Sequence, residues 1–181
     1  MINAATNLSR MRNILPLLFI CLLGCSKTET IDVTSIYLTD ASNQYLGYTG
    51  DTSGQWKQAE FNANELNLFQ SLDTAKLSSS SVPSISNTGR AYPNPAHYVF
   101  ALRPLAAQSY SGTVTVKLVI VNNHFQVQAK RTLNIVFSSG DSSGFAADVS
   151  TLGVGYYRAY FTLSVAGSNH FVKFWGNIQK N

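Results

Sequence analysis

A two-residue alternation of apolar and polar side chains runs through the C-terminal half of this 181-residue chain. It is clear in residues 114–120, 125–130, 133–137 and 156–165, and residues 171–178 form a further strand-like run. Because successive side chains of a strand point to opposite faces, this pattern predicts strands with one buried and one polar face. About seven such segments, with turn residues every ~8–12 positions, predict a mainly β, antiparallel β-sandwich.

Individual turns and core positions follow from the same alternation. Asn122-Asn123 predicts a tight turn between two strands, since Asn tolerates positive φ better than most residues. In the run Tyr98–Leu102 the even-numbered side chains are apolar and are expected to share a buried face. Gly155 is expected to admit a sharp bend that turns Tyr157 towards the core.

The N-terminal half predicts one short helix. Asn62 is a good N-cap, and Glu65 lies three residues later, as in a capping box. Apolar residues then recur on one face, which predicts a helix at about 63–72. Phe61 is expected to staple against Leu66.

The first 25 residues have the pattern of a processed secretory signal. Arg10 and Arg12 precede an apolar run at 14–23, about half the ~20 residues that a membrane-spanning helix needs. The run leads into Leu22-Leu23-Gly24-Cys25, which resembles the lipobox of bacterial lipoproteins. The resemblance implies cleavage before Cys25, a diacylglyceryl thioether on its sulfur, and acyl chains such as palmitate that anchor the protein in the outer membrane of the cell envelope. An ordinary cleaved signal, with an incidental Cys25, is the alternative.

The chain therefore divides into five predicted parts. They are a signal peptide (1–24), a lipidated tether (25–30), a small N-terminal segment with a strand at 31–38 and the helix (31–77), a Ser-rich linker or loop (78–90) and the β-sandwich domain (91–181).

Loss of the signal changes the charge of the mature protein. The full chain has 13 Lys and Arg against 9 Asp and Glu, and removal of Arg10 and Arg12 leaves 11 against 9, or +2. Residues 26–90 hold four basic and seven acidic residues, and residues 91–181 hold seven basic and two acidic residues. These basic residues fall on different segments and form no cluster of the kind that a phosphate backbone requires, so we expect no nucleic-acid partner.

Two motifs of the second half have a recognisable spacing. Ala91-Tyr92-Pro93-Asn94-Pro95-Ala96 is followed about 50 residues later by Asp148–Tyr157. Together they resemble the C-terminal sorting domains of type IX secretion cargo, over about 90 of the 157 mature residues. The resemblance implies an immunoglobulin-like β-sandwich. The motif residues are interpreted as structural and are Tyr92, Pro93, Asn94, Pro95, Gly155 and Tyr157.

The chemistry of these residues agrees with a structural role. Pro93 and Pro95 lack backbone donors, so this segment suits a sheet edge or a strand start. Asn94 is expected to bond its own backbone in a turn. The chain departs from the family at Asn122-Asn123-His124, where the family has a Gly-containing turn, and in the short stretch that precedes the domain. A shared fold kept in a lipoprotein is therefore the interpretation, and an active sorting role is the alternative.

No local motif predicts an enzyme. Gly140–Gly144 is superficially similar to the segment around the nucleophile of chymotrypsin-like proteases, but His97 and His124 have no context of a triad base. These two and His170 are far apart, and Cys25 is committed to lipid, so no zinc spacing is present. We expect a non-enzymatic protein without metal or cofactor.

Two sets of residues are candidates for binding. The first is Tyr45, Tyr48 and Trp56, and the second is Tyr156, Arg158 and Tyr160. The aromatic side chains of the first set are expected either to stack on sugar rings or to close a small N-terminal core, in which Trp56 covers the helix. The second set shares the outward face of one strand and forms either a protein contact or a face covered by another loop.

The predicted function is that of a cell-envelope lipoprotein whose immunoglobulin-like domain serves protein interaction or assembly at the membrane surface. The alternatives are a surface glycan-binding module and a sorting-related domain of the type IX pathway. The expected partners are the membrane, through lipid on Cys25, and an envelope protein or glycan.

Overall fold

The computed structural model describes residues 29–72, 78–79, 85–106, 111–137, 144–165 and 170–181. The predicted signal peptide, Cys25 and the Gly140–Ser143 part of the protease-like segment lie outside these residues. In chain order the elements are β1 (Tyr37–Thr39), β2 (Tyr45–Tyr48), α1 (Ala63–Asn67), β3 (Ser78–Ser79), β4 (Ile85–Thr88), β5 (Val99–Leu102), β6 (Pro104–Ala106), β7 (Gly112–Val121), β8 (Val127–Phe137), β9 (Phe145–Asp148), β10 (Gly155–Val165) and β11 (His170–Lys180). The described part of the chain is mainly β with one short helix, which confirms the predicted fold class at that level.

The main sheet has the strand order β3-β11-β10-β7-β8. β3 runs parallel to β11, and every other neighbouring pair is antiparallel. Val116 lies opposite Leu133 on one side and Leu163 on the other, and Leu163 lies opposite Val172. These apolar side chains share one face of the sheet, called here the inner face, as the alternation predicts.

A second layer covers the inner face. β5 pairs antiparallel with β9, and both strands contribute side chains to the same core as the main sheet. The ring of Phe145 on β9 meets that of Phe161 on β10 nearly edge-on, with centroids 6.4 Å apart. The two layers give a sandwich-like arrangement of antiparallel sheets.

The N-terminal part of the chain covers the opposite, outer face of the main sheet. Phe61 stacks on Phe69, which lies further along the chain than the expected Leu66, with ring centroids 6.0 Å apart. Phe61 also meets the ring of Tyr160 edge-on at 5.4 Å. Trp56, by contrast, belongs to the inner core. The segment therefore packs on both faces of the sheet and does not close a small core of its own.

Residues 56–59 also widen the main sheet, because they pair with the edge of β11. The backbone N–H of Trp56 donates to Trp175 O at 2.7 Å, and that of Ala59 donates to Lys173 O at 2.9 Å. These bonds use the edge of β11 that β3 leaves unpaired, so the N-terminal segment is held by backbone pairing as well as by packing.

Helix α1 begins where the sequence predicts. The side chain of Asn62 accepts from the N–H of Glu65 at 3.0 Å, and the Glu65 carboxylate accepts from the N–H of Asn62 at 2.8 Å, so the predicted capping box is confirmed. Regular helix ends at Asn67, earlier than predicted. Tighter turns with bonds three residues apart continue to Leu72.

The turn between β7 and β8 is longer than predicted. Asn122 Oδ1 accepts from the N–H groups of His124 and Gln126, both at 3.0 Å. Phe125 has a φ of 60° and packs beside the outer face. A five-residue loop at 122–126, organised by one Asn side chain, thus replaces the expected tight turn.

Two strand predictions also differ. Regular pairing covers only the end of the predicted strand at 31–38, because the Asp32 carboxylate accepts from the N–H of Thr34 at 2.8 Å and forms a local turn. Tyr98 precedes β5 and is 72% exposed, whereas the later apolar positions of that strand are buried as expected.

The Tyr92–Ala96 segment occupies a sheet edge, as its prolines predict. Tyr92 bridges Ala101 on β5, and Ala96 bridges Lys180 on β11. The chain is thereby linked to both layers of the sandwich through single bridges, without a regular strand.

The Asn94 side chain is fully buried and bonds across elements, so the prediction that it bonds its own backbone is wrong. Its Nδ2 donates to Tyr37 O at 2.8 Å and to Asn177 O at 3.2 Å, and its Oδ1 accepts from the N–H of Gln179 at 2.8 Å. Asn94 therefore connects β1 to β11.

Tyr157 faces the core as predicted. Its side chain belongs to the inner cluster, and its hydroxyl donates to the carbonyl of Gly153 at 2.8 Å. Gly155 has a φ of 158°, so the bend before β10 uses backbone that glycine adopts without strain.

Candidate functional site

The β1–β2 hairpin is built by its turn. The Asp40 carboxylate accepts from the N–H groups of Ser42 and Gln44, both at 2.8 Å, and Asn43 has a φ of 65°. Asp and Asn are the residues that such turns favour, because their side chains bond nearby backbone and tolerate positive φ. The turn presents β2 as the outer strand of the pair.

A bulge in β2 determines which of its side chains lie together. Thr39 lies opposite Tyr45, Leu38 opposite Gly47 and Tyr37 opposite Tyr48, so Leu46 is the extra residue. Because Tyr37 and Thr39 share a face of β1, the register brings the side chains of Tyr45 and Tyr48 to that same face, although they are three residues apart.

Arg90 completes this surface. Its guanidinium carbon lies 4.5 Å from the ring centroid of Tyr37 and 4.9 Å from that of Tyr45, and the two rings meet edge-on at 6.2 Å. Each contact is within the range of a cation–π interaction. We call Tyr37, Tyr45, Tyr48 and Arg90 the aromatic cluster.

The neighbouring backbone explains why Arg90 lies there. The Thr39 hydroxyl donates to the carbonyl of Ala91 at 2.6 Å, and Ala91 itself is buried. The residue after Arg90 is thus fixed to β1, which places the arginine beside the tyrosines of the hairpin. The sequence did not indicate Arg90 and Tyr37 as site residues. Arg90 lies 50 residues after Asp40, in the turn of the hairpin, and no local pattern signals that it packs against the hairpin.

The aromatic cluster is open to solvent. Tyr48 and Leu46 are each 62% exposed, and Tyr45 and Arg90 are exposed as well. Tyrosine and arginine supply large contact area and directional hydrogen bonds, and both are enriched where protein interfaces derive their binding energy.

Trp56 does not belong to this surface. It is 3% exposed, and its ring lies 6.2 Å from that of Phe161 in the inner core. A Cβ at Gly176 would fall 2.1 Å from Trp56 Cε2, so the ring lies directly on the glycine of β11. The prediction that Trp56 contacts a glycan with Tyr45 and Tyr48 is therefore wrong.

The second candidate set is largely covered. Tyr160 is fully buried under Phe61 and Phe125, and burial raises the pKa of its phenol to about 12. Its hydroxyl lacks a hydrogen-bond partner among the described residues. Tyr156 alone of this set remains exposed, so the alternative of a covered face describes the set better.

Arg158 is engaged in holding the N-terminal segment. Its guanidinium donates to the carbonyl of Asp32 at 2.5 Å and to Asn177 Oδ1 at 2.9 Å, and it lies 4.2 Å from the ring of Trp175. Asn177 Nδ2 donates to the carbonyl of Ser35 at 2.9 Å. These bonds fasten residues 32–35 across β10 and β11.

Asp32 is the described carboxylate with the strongest shift towards ionisation. The hydroxyl of Ser35, at 2.5 Å, and the N–H of Thr34 lower the pKa of Asp32 to about 2. Both donors lie within three residues, and the carboxylate forms a local turn. Its hydrogen bonds hold this turn together.

Groups suited to a metal are not assembled in the described ranges. His97 and His124 are exposed and lie on different loops. No cluster of three or more His, Cys, Asp or Glu side chains occurs within residues 29–72, 85–103, 111–137, 144–165 and 172–181. In the same described part of the chain, no helix has the length and apolar character needed to cross a bilayer.

Comparison with known proteins found no protein-family model that matches the chain, and no curated protein that matches it.

Proposed function

We propose that this chain is a non-enzymatic lipoprotein of the bacterial cell envelope, anchored through Cys25, whose aromatic cluster binds a partner protein. The observation that carries the proposal is the placement of Arg90 against Tyr37 and Tyr45 on an exposed hairpin, with Tyr48 beside them. A stacked arginine between tyrosines is ordered before a partner arrives, which reduces the entropy lost on binding.

The fold part of the proposal is an immunoglobulin-like sandwich. The order β8-β7-β10-β11 opposite the pair β5-β9 is the arrangement of strands expected for such a domain, with the Tyr92–Ala96 segment touching both layers. The bond from the Tyr157 hydroxyl to Gly153 O supports the same assignment, because a tyrosine at the start of the corresponding strand bonds backbone just upstream.

The backbone of β2 favours a protein over a glycan as the partner. Ile36 and Thr49 exchange both backbone hydrogen bonds, at 3.1 and 2.9 Å. In an antiparallel ladder the next pair, Tyr37 and Tyr48, is then the non-hydrogen-bonded one, and the N–H and C=O of Tyr48 point away from β1. Within the described residues β2 pairs with β1 alone. A free edge of this kind accepts an extended segment of another protein.

The glycan alternative is weakened by the burial of Trp56, since indole is the largest of the three proposed stacking surfaces. The sorting alternative is weakened by Asn94. Its side chain connects β1 to β11, which gives the Tyr92–Pro95 motif a purely structural reason to be present.

The partner surface is tested with photo-crosslinking in the native envelope. A crosslinking amino acid at position 46, next to the cluster, is expected to capture a discrete protein, and the double substitution Y45A/Y48A or R90A is expected to abolish that product. V136A is the control, because Val136 is an equally exposed apolar residue, 68% exposed, that lies outside the cluster. A product that survives both cluster variants, or that V136A removes equally, overturns the assignment of the surface.

Lipid anchoring is tested separately. The wild-type protein is expected to incorporate a fatty-acid analogue and to remain in the membrane fraction, and C25A is expected to do neither. Incorporation by C25A would refute the anchor. A glycan array on the purified protein decides the alternative, since binding that depends on Tyr45 and Tyr48 would replace a protein partner by a glycan.

A further inference from the structure

Exposed apolar side chains gather at one end of the sandwich. Val154, which immediately precedes β10, is 80% exposed. Tyr156, the second residue of β10, is exposed as well. Tyr98 lies close by, because its ring is 6.0 Å from Lys180 Nζ and Lys180 is paired with Gly155. We call Tyr98, Val154 and Tyr156 the apolar end.

The N-terminus of the described chain reaches the domain at this same end. The N–H of Ile31 donates to Asn123 O in the β7–β8 loop, at 2.9 Å. Arg158 lies opposite Val121, the last residue of β7, so Tyr156 and Val154 extend past the end of β7 beside that loop. The carbonyl of Asp32, the residue after Ile31, accepts a hydrogen bond from Arg158, which lies two positions from Tyr156 on β10.

The covalent distance to the proposed anchor is short. Four peptide units join Cys25 to Glu29, so their Cα atoms lie at most about 14 Å apart. Glu29 is held in turn, because its carboxylate accepts from Asn64 Nδ2 at 3.0 Å. A lipid on Cys25 therefore brings the bilayer surface close to the domain, at the place where Ile31 meets the β7–β8 loop.

Two surfaces lie near that place, and their chemistry differs. The exposed side of α1 and its cap carries amides, at Asn62, Asn64 and Asn67, which gain nothing from an apolar medium. The apolar end carries a valine and two tyrosines. Tyrosine prefers the boundary between headgroups and acyl chains, where its ring is buried and its hydroxyl stays hydrated.

We propose that the apolar end rests on the bilayer, with Val154 and the rings of Tyr98 and Tyr156 at the level of the lipid headgroups. This inference rests on the proposed acylation of Cys25.

The orientation is tested on the full-length acylated protein in phosphatidylethanolamine–phosphatidylglycerol vesicles. In the variant V154C the introduced cysteine carries an environment-sensitive fluorophore. Only this position is labelled, because Cys21 leaves with the signal and the Cys25 thiol is consumed by the lipid. V136C is the matched control. Val136 is 68% exposed and lies opposite Thr113, at the end of the hairpin remote from the loop.

The V154C label is expected to shift its emission to the blue and to be quenched at least threefold more strongly by nitroxide lipids than the V136C label. Equal quenching at both positions, or stronger quenching at V136C, overturns the orientation. A fatty-acid label on Cys25 is measured in the same samples. With acylation present and V154C unquenched, the orientation alone is refuted, whereas an unacylated Cys25 refutes both the anchor and the orientation.

Discussion

Gly176 is expected to tolerate no side chain, because the ring of Trp56 lies directly on it. A methyl group added by G176A would lie 2.1, 2.3 and 2.4 Å from three ring atoms of Trp56. Ordinary contact between carbon atoms needs about 3.5 Å, so the ring would have to move by more than about 1 Å. The ring is confined, because Phe161 lies against it and is stacked on Phe174 at 5.4 Å, and because the backbone N–H of Trp56 donates to Trp175 O.

The magnitude follows from what the ring can do. Overpacking a well-filled core costs about 1–3 kcal/mol, and removing a buried Trp side chain costs about 3–5 kcal/mol. Since the backbone pairing with β11 and the ring of Phe161 confine Trp56, we expect G176A to lower the free energy of unfolding by about 3 kcal/mol. That is a large part of the ~5–15 kcal/mol that holds a typical domain together.

The assay is denaturant unfolding followed by circular dichroism, in a double-mutant cycle of G176A with W56A. If the clash is the cause, G176A costs little once the ring is absent, and the coupling energy is about 2–3 kcal/mol. G153A is the control, because a Cβ there would meet its nearest neighbour, the Tyr157 hydroxyl, at 3.7 Å. The reasoning is refuted if G176A is as mild as G153A, or if its cost persists in the W56A background.

Three further expectations concern polar groups. N94A should lower the free energy of unfolding by about 2–4 kcal/mol, because it removes a fully buried side chain and leaves the partly buried Tyr37 O and N–H of Gln179 without their partner. Urea titration measures this, and a loss below about 1 kcal/mol would contradict it. N62A should cost only about 1 kcal/mol, the usual value of an exposed N-cap, and the same titration should rank it clearly below N94A. The folded-state pKa of Asp32, about 2, lies below its ordinary value of 3.8, so its stabilisation is complete above about pH 4 and is lost as the pH falls towards 2. The advantage of the wild type over D32N, at most about 1 kcal/mol for a solvent-screened carboxylate, should therefore be present at pH 6 and largely gone at pH 2.5, and a constant difference would contradict the assignment.

Local sequence signals determined the elements whose partners lie nearby in the chain. Alternation predicted β7, most of β8 and β10 with their inner faces, because a strand's two faces follow from its residues alone. The capping box of α1 was equally readable, since Asn62 and Glu65 are three residues apart. The β7–β8 loop was misread in length, because the side chain of Asn122 closes a wider turn than the dipeptide suggests. For the same reason Phe125, predicted in the following strand, lies in the loop and packs beside the outer face.

Tertiary structure alone decided which of these residues meet. Trp56 was a candidate for a glycan contact or for a cover over the helix, but it lies on the glycine of β11 in the inner core. Tyr160, on the outward face of its strand, is covered by Phe61 and Phe125. The aromatic cluster required Ala91 to be fixed to Thr39, 52 residues away, which placed Arg90 between two tyrosines. Contacts of this kind depend on packing between distant segments, for which a periodic pattern carries no information. The sequence by itself therefore determined a mainly β chain, and folding determined which of its aromatic side chains stay exposed.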